Sequence, residues 1–139
     1  MNKPTSPVPL MEITSGIHAF KALAIAVELG LFSELPEGGS TTPTGVMSQH
    51  GLQSRPTEML LTACTSLGML RRDNDDSYRN PPLSDKFLVK GKPHYFGDWI
   101  TVVDRHEYPA ALKLADSLRE NHPAACGRRI QAVRASSGA

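Results

Sequence analysis

The chain has 139 residues and a net charge of +1 at pH 7. This length suits one domain with short tails, and the near-neutral charge gives no field that would recruit nucleic acid or an anionic membrane. Two cysteines make no disulfide framework and no stretch reaches 18 uninterrupted apolar residues. The sequence therefore predicts a cytoplasmic protein that does not span a membrane.

The chain begins with a predicted arm and a long predicted helix. Residues 1–9 are polar and spaced by prolines, which favours a disordered arm. Within residues 10–32, apolar side chains recur along one face at steps of three and four residues, which predicts a long helix that ends near Gly30. Those assigned to this face as dimer-interface residues are Ile13, Ile17, Phe20, Ala24 and Val27.

The opposite face of this helix is not polar, since residues 22–27 are apolar at every position. A helix that is apolar all round must be covered on two sides. We therefore predict that its own domain covers one side and a partner subunit covers the other. The alternative is a central core helix of a monomer.

Start and stop signals predict two shorter helices after a loop. Thr42 and Pro43 are a good N-cap and first position for one helix, which ends at Gly51. Ser54 is the expected cap of the next helix, which ends at Gly68. Its predicted buried stripe consists of Met59, Leu60, Ala63, Leu67 and Leu70.

After Gly68 the pattern changes to strand, polar turn and strand over residues 69–80, and Ser84 is the expected cap of a further helical turn. Helices followed by a two-stranded wing make a winged helix-turn-helix. The fold class is therefore mainly α, with a long N-terminal dimerisation helix and a small β wing. We assign residues 10–120 to this domain and residues 121–139 to a disordered tail.

A helical pattern resumes at Tyr95 and includes Trp99 and Val103, and Pro109 is expected to break or kink it. Trp99 is equally compatible with a core position between two helices. The functional alternative is that Trp99 and Val103 line a pocket for a flat aromatic ligand, because such ligands pack against aromatic and aliphatic walls. Met11, near the start of the long helix, is a candidate to reach the pocket of a partner subunit in the same way.

Three passages together resemble a known family. They are the helix ending Glu28-Leu29-Gly30-Leu31-Phe32, the helix from Arg55-Pro56-Thr57-Glu58 to Leu67-Gly68-Met69-Leu70, and the Tyr78…Pro82-Leu83-Ser84 segment after the wing. In this order they resemble the N-terminal dimerisation domain of small-molecule, S-adenosylmethionine-dependent O-methyltransferases of the plant caffeate and bacterial polyketide types. The resemblance covers roughly residues 10–119.

The resemblance implies a homodimer, or a heterodimer with a full-length O-methyltransferase, and a contribution to the wall of the acceptor pocket. The family's cofactor and catalytic residues lie in a second domain, and this sequence has no G-x-G-x-x-G loop to match it. We therefore expect no cofactor, metal or catalytic residue in this chain, which is predicted to be inactive alone, as a truncated or stand-alone domain.

A DNA-binding transcription regulator is the alternative function, because winged helices often read DNA. The helix from Ser54 to Gly68 carries only Arg55 and Glu58 as charges, so it offers no excess of cations to phosphates. His106 and Glu107 begin an H-E-x-x-H zinc motif, but Ala110 stands where the second histidine is needed. Both nucleic-acid and metal binding are therefore disfavoured.

Overall fold

The computed structural model describes residues 5–35 and 37–123. These residues are mainly helical, and their contacts divide the chain between Asp98 and Trp99 into two compact units. Residues 10–120 were predicted to form a single domain, and this division was not anticipated. Most of the predicted tail, from residue 124 onward, lies outside the described residues.

The long helix, α1, runs from Val8 to Leu29. It starts earlier than predicted because Pro7 and Pro9 lie at its N-terminus, where the missing proline N–H groups cost no hydrogen bond. The predicted arm was therefore wrong at residues 8 and 9, and residues 1–4 lie outside the described part of the chain. The helix ends where Gly30 takes a left-handed conformation, with φ of 77°.

The predicted end of the long helix near Gly30 is confirmed, and a 3-10 turn, Leu31–Glu34, follows it. Its first two side chains, Leu31 and Phe32, are fully buried. Asn80 fixes this turn from the other side of the unit, since its Nδ2 donates to the carbonyls of Phe32 at 2.8 Å and Leu35 at 2.6 Å. The end of α1 is thus held by both apolar packing and a side-chain amide.

The next two helices are α2, Pro43–His50, and α3, Ser54–Ser66. The predicted start of α2 is confirmed, because Thr42 Oγ1 accepts a hydrogen bond from the Gly45 N–H at 3.2 Å. The predicted cap of α3 was wrong. Gln53 takes the cap position without a side-chain bond, and the Ser54 hydroxyl donates to Glu58 instead.

The predicted buried stripe of α3 was wrong at Met59 and Leu67, which are exposed, and right at Leu70, which is buried just beyond the end of the helix. The side chains that α3 buries are Thr57, Leu61 and Cys64, whereas Met59 is exposed. Thr57 can be buried because its hydroxyl donates to the Gln53 carbonyl at 2.8 Å within the helix, so no polar atom is left unpaired. Both faces of α3 carry apolar side chains, and periodicity alone selected the wrong one.

The predicted wing is confirmed as an antiparallel pair of strands, β1, Arg71–Arg72, and β2, Tyr78–Arg79. Arg72 lies opposite Tyr78 in this ladder. The strand β2 also pairs with Thr41, two residues before α2, because the Thr41 and Tyr78 backbones exchange two hydrogen bonds. The wing is therefore joined to the start of the two-helix segment, as in a winged helix-turn-helix.

Helix α4, Pro82–Phe87, follows the wing. Ser84 was predicted to cap it, but Pro81 takes that position. The buried Ser84 hydroxyl donates instead to the Met69 carbonyl at 2.6 Å, which joins α4 to the segment between α3 and β1. The error arose because Pro82 marks the first helical position more strongly than a serine marks the cap.

The core of the first unit is made of apolar side chains from α1, the 3-10 turn, α2, α3 and the wing. The fully or nearly buried ones are Ala24, Ala26, Leu31, Phe32, Leu35, Val46, Leu61, Cys64, Leu70, Tyr78, Leu88 and Val89. Only the part of α1 after residue 18 contributes to this core.

The last helical run crosses into the second unit and has four segments. They are α5, Gly97–Val102; a π-helical turn, Val103–Glu107; α6, Tyr108–Ala111; and α7, Leu114–Glu120. Pro109 does not end the helix at its own position. The chain instead widens into the π turn just before it, and the Tyr108 N–H bonds to the Val103 carbonyl.

Candidate functional site

The first half of α1, residues 8–18, is exposed along its whole length; we call it the outer half. It nevertheless carries large apolar side chains. Ile13 is 77% exposed and Ile17 is 51% exposed. Leu10, Ile13 and Ile17 are spaced by three and four residues, so they form one stripe. Contiguous exposed apolar surface of this kind marks an interaction site.

The second half of α1, residues 19–29, is the inner half, and it packs on α3 and the 3-10 turn. Of the predicted interface residues, Ala24 is only 5% exposed because it belongs to this core. Phe20 and Val27 are half-buried. Of the five predicted interface residues, Ile13 and Ile17 are therefore exposed. The chain itself covers the other three wholly or in part.

Sequence reasoning missed Val8 and Leu10 as exposed apolar residues of the outer half. The available signal was Pro9, since a proline in the first helical turn predicts a start before residue 10. Thr14 and Ser15 lie between the apolar positions, and both donate to the Met11 carbonyl, at 3.1 and 2.7 Å. Their hydroxyl groups are thus satisfied within the helix.

The three candidate pocket-wall residues lie in two different units. Met11 is exposed on the outer half of α1. Trp99, in α5, is 55% exposed, and Val103 is half-buried at the start of the π turn. Trp99 and Val103 are four residues apart, so they lie on the same side of their helix. Their role as a pocket wall stays a prediction.

Two titratable groups of the first unit, Cys64 and His50, have well-defined surroundings. Burial raises the pKa of the Cys64 thiol to about 11, which leaves it protonated and unreactive at neutral pH. His50 Nε2 lies 3.0 Å from Glu34 Oε2, and this pair ties the end of α2 to the 3-10 turn. No group of three or more His, Cys, Asp or Glu side chains within residues 5–35 and 37–123 is arranged to hold a metal ion.

The wing does not present free cations. Arg72 is bonded to Asp76 at 2.6 Å, Arg71 lies 3.4 Å from Asp73, and Arg79 also pairs with Asp73. The hydrogen bonds that Arg72 donates to the Asp76 carboxylate raise the pKa of Arg72. Because each arginine already has a carboxylate, the wing offers little to DNA phosphates, and nothing in the structure favours the DNA-binding alternative.

Helix α1 is long and apolar enough to cross a membrane by length and composition alone, with a mean hydropathy of 1.4. This test is weak, because core helices of soluble proteins and signal sequences also pass it. The prediction that the chain does not span a membrane was based on uninterrupted apolar runs and stays a prediction.

Comparison with known proteins identifies the family. The family model of the O-methyltransferase dimerisation domain matches residues 11–90. The 3-hydroxy-5-methyl-1-naphthoate 3-O-methyltransferase of Streptomyces sahachiroi is 36% identical over 117 residues, which cover 84% of this chain and 33% of that protein. The acetylserotonin O-methyltransferase of Rattus norvegicus is 39% identical over 111 residues, which cover 80% of this chain and 26% of that protein.

Solved structures agree with this assignment. Human N-acetylserotonin methyltransferase in complex with SAM matches with a TM-score of 0.75 and 28% identity, over 86% of this chain and 36% of that one. The chain thus spans about a third of the length of the curated relatives it matches. With a family model that matches the segment from α1 to the end of α4, the chain belongs to the O-methyltransferase family through its dimerisation domain.

Proposed function

We propose that this chain forms a homodimer through the outer half of α1, and that the same surface accepts a full-length O-methyltransferase as partner. The observation that supports this most directly is the exposed stripe of Leu10, Ile13 and Ile17. Burying such side chains is favourable by about 1.5–3 kcal/mol each. A second copy supplies a matching stripe, as two-fold symmetric interfaces require.

Sedimentation equilibrium of wild type and Ile17→Glu tests the dimer. We expect a dimer for wild type and a folded monomer for the variant, because the glutamate places a charge in the apolar interface. Met59→Glu is the matched control, since Met59 is also an exposed apolar helix residue but lies on α3. A monomeric wild type, or equal dissociation of both variants, would contradict the proposal.

The proposed pocket wall consists of Trp99 and Val103, and Met11 is proposed to reach the pocket of a partner subunit. The exposure of Trp99 and its four-residue spacing from Val103 support the wall, and the exposure of Met11 supports its reach to a partner. The relatives are named for a naphthoate and for acetylserotonin, so the proposed acceptor is a flat aromatic hydroxy compound. Exchange of Trp99 or Val103 for alanine in a complex with a full-length relative should change acceptor selectivity and leave cofactor affinity unchanged.

The 139 residues alone are proposed to bind no S-adenosylmethionine and to transfer no methyl group, so their effect is exerted through the partner subunit. Isothermal titration with S-adenosylmethionine should give no saturable heat. Co-expression with the Streptomyces sahachiroi relative, followed by affinity capture, should recover mixed dimers. Recovery of homodimers alone would reject the heterodimer. The cytoplasmic location also stays a prediction.

A further inference from the structure

The π turn at Val103–Glu107 changes which side chains share the helix face of Trp99. In an α-helix the neighbours of Val103 one turn later are the third and fourth residues along, His106 and Glu107. A π turn closes hydrogen bonds five residues apart, so the neighbour of Val103 becomes Tyr108. The structure has this longer bond, from the Tyr108 N–H to the Val103 carbonyl.

The burial of these side chains agrees with Tyr108, and not His106 or Glu107, as the neighbour of Val103. Val103 and Tyr108 are both half-buried, whereas His106 and Glu107 are exposed. The one-residue difference rotates the following side chains by roughly 100° relative to an unbroken α-helix, since such a helix has 3.6 residues per turn. The Trp99–Val103 face therefore continues into an aromatic residue and not into two charged or ionisable ones.

Pro109 supplies a physical cause for the turn. It has no N–H to donate to the carbonyl of Arg105, and its ring would collide with that carbonyl in a regular α-helix. Widening the helix by one residue just before the proline removes both problems. Sharp irregularities in helices are usually found at prolines or π turns, and here the two coincide.

We propose that Tyr108 is a further acceptor-facing residue, placed beside Val103 by the π turn that Pro109 imposes. The ligand class is a flat aromatic compound, because a tyrosine offers a ring face for stacking. This inference rests on the proposed pocket wall of Trp99 and Val103, and it assigns Pro109 a positioning role.

Nuclear magnetic resonance of the complete 139-residue chain, titrated with 2-naphthol, tests the assignment. Trp99 is the single tryptophan, so it gives one indole N–H signal. We expect the signals of Trp99, Val103 and Tyr108 to shift together. Tyr108→Leu should weaken binding by about two- to tenfold, the usual worth of an aromatic contact. His106→Ala, the matched control, should leave binding unchanged.

Pro109→Ala tests the cause of the turn. Alanine restores the N–H and favours a regular α-helix, so the through-space contact between Val103 and Tyr108 should disappear and naphthol binding should weaken as in Tyr108→Leu. The thermal midpoint should not fall, which separates this effect from unfolding. Persistence of the Val103–Tyr108 contact in Pro109→Ala would overturn the positioning role.

The two proposals fail in distinguishable ways. Shifts at Trp99 and Val103 without a shift at Tyr108 would overturn this inference and leave the proposed wall in place. Weaker binding in His106→Ala, with unchanged binding in Tyr108→Leu, would also overturn the inference alone. The absence of shifts at all three residues would overturn the wall and, with it, the assignment of Tyr108.

Discussion

The two halves of α1 have similar side chains and opposite surroundings. The inner half, residues 19–29, buries Ala24 and Ala26 against the rest of the first unit. The outer half, residues 8–18, also has large apolar side chains and buries none of them within the chain. The difference shows that hydrophobicity alone does not tell whether a helix face belongs to its own core or to an interface.

The buried positions of the inner half and the exposed apolar positions of the outer half differ in side-chain size. Alanines let α3 approach closely, and Cys64 Sγ lies 4.0 Å from the Ala22 carbonyl. The isoleucines of the outer half project farther from the helix axis, as a surface that must reach a second chain requires. The expected effects of the changes below test this difference between the two halves, from the largest effect to the smallest.

A charge introduced into the inner half of α1 should unfold the protein, whereas a charge introduced into the outer half should not. Ala26→Asp places a carboxylate at a fully buried position without a partner, and we expect a loss of about 4–5 kcal/mol in the free energy of unfolding. Ile13→Asp should leave the monomer's unfolding free energy within about 0.5 kcal/mol, because the side chain is exposed. Urea unfolding followed by circular dichroism measures both. Similar losses would show that the outer half is also part of the core.

The anchoring of the inner half should depend on Asn80. In Asn80→Ala, the Phe32 and Leu35 carbonyls lose their donor, and we expect a loss of about 1–3 kcal/mol. Asn74→Ala, in the exposed turn of the wing, is the matched control and should cost little. Equal midpoints of urea unfolding for the two variants would mean that apolar packing alone fixes the 3-10 turn.

Gly30, which directly follows the inner half, should resist replacement by alanine. Gly30 has φ of 77° and open space around a Cβ, so Gly30→Ala should lose about 1 kcal/mol for conformational reasons alone. The measurement is the thermal midpoint of unfolding, which should fall. No change in this midpoint would show that the end of α1 adapts to a right-handed conformation.

Gly16 should tolerate the same replacement. It lies inside the outer half, again with nothing within 4 Å of a Cβ, so Gly16→Ala should gain about 0.5–1 kcal/mol in helix propensity. The thermal midpoint should rise at a protein concentration where the chain is monomeric. If the gain disappears as the dimer forms, the partner approaches the backbone at Gly16.

The Cys64 thiol should report when the inner half opens. Its pKa rises from 9.0 to about 11, so at pH 8 the folded protein has about a hundredfold less thiolate than a free cysteine. In a Cys126→Ser background, iodoacetamide should therefore react slowly until urea opens the fold. Reaction at the rate of a free thiol without urea would indicate that the inner half is not closed over α3.

The same shift predicts a pH dependence. Folding favours the protonated thiol, so this contribution to stability is fully present below pH 9.0 and is lost as the pH rises toward 11. Alkaline unfolding of wild type compared with Cys64→Ala measures this contribution.

Local signals in the sequence predicted the starts and ends of elements well. Thr42 with Pro43, Gly30, and Gly51 were read correctly, because caps and left-handed glycines depend on neighbouring backbone atoms alone. Ser54 and Ser84 show the limit of such signals. Ser84 bonds to Met69, fifteen residues away, and a local pattern contains no information about that partner.

The prediction of the interface residues had the same limit, because a local pattern contains no information about tertiary contacts. The exposed stripe of the outer half follows from periodicity, but the burial of Ala24 depends on α3, which packs there through tertiary contacts. The π turn was not anticipated either. Pro109 indicated an irregularity at its own position, whereas the chain resolves the conflict one turn earlier, at Val103.

The amide of Asn80 has a consequence for the order of events during synthesis. Its two acceptors precede it by 48 and 45 residues, so the turn after α1 cannot be locked until residue 80 has left the ribosome. At about 5–20 residues per second, this delay is roughly 2–10 s. During it the outer half is already outside with its isoleucines uncovered. Neighbouring nascent chains on one messenger can therefore meet through this surface before either domain has closed.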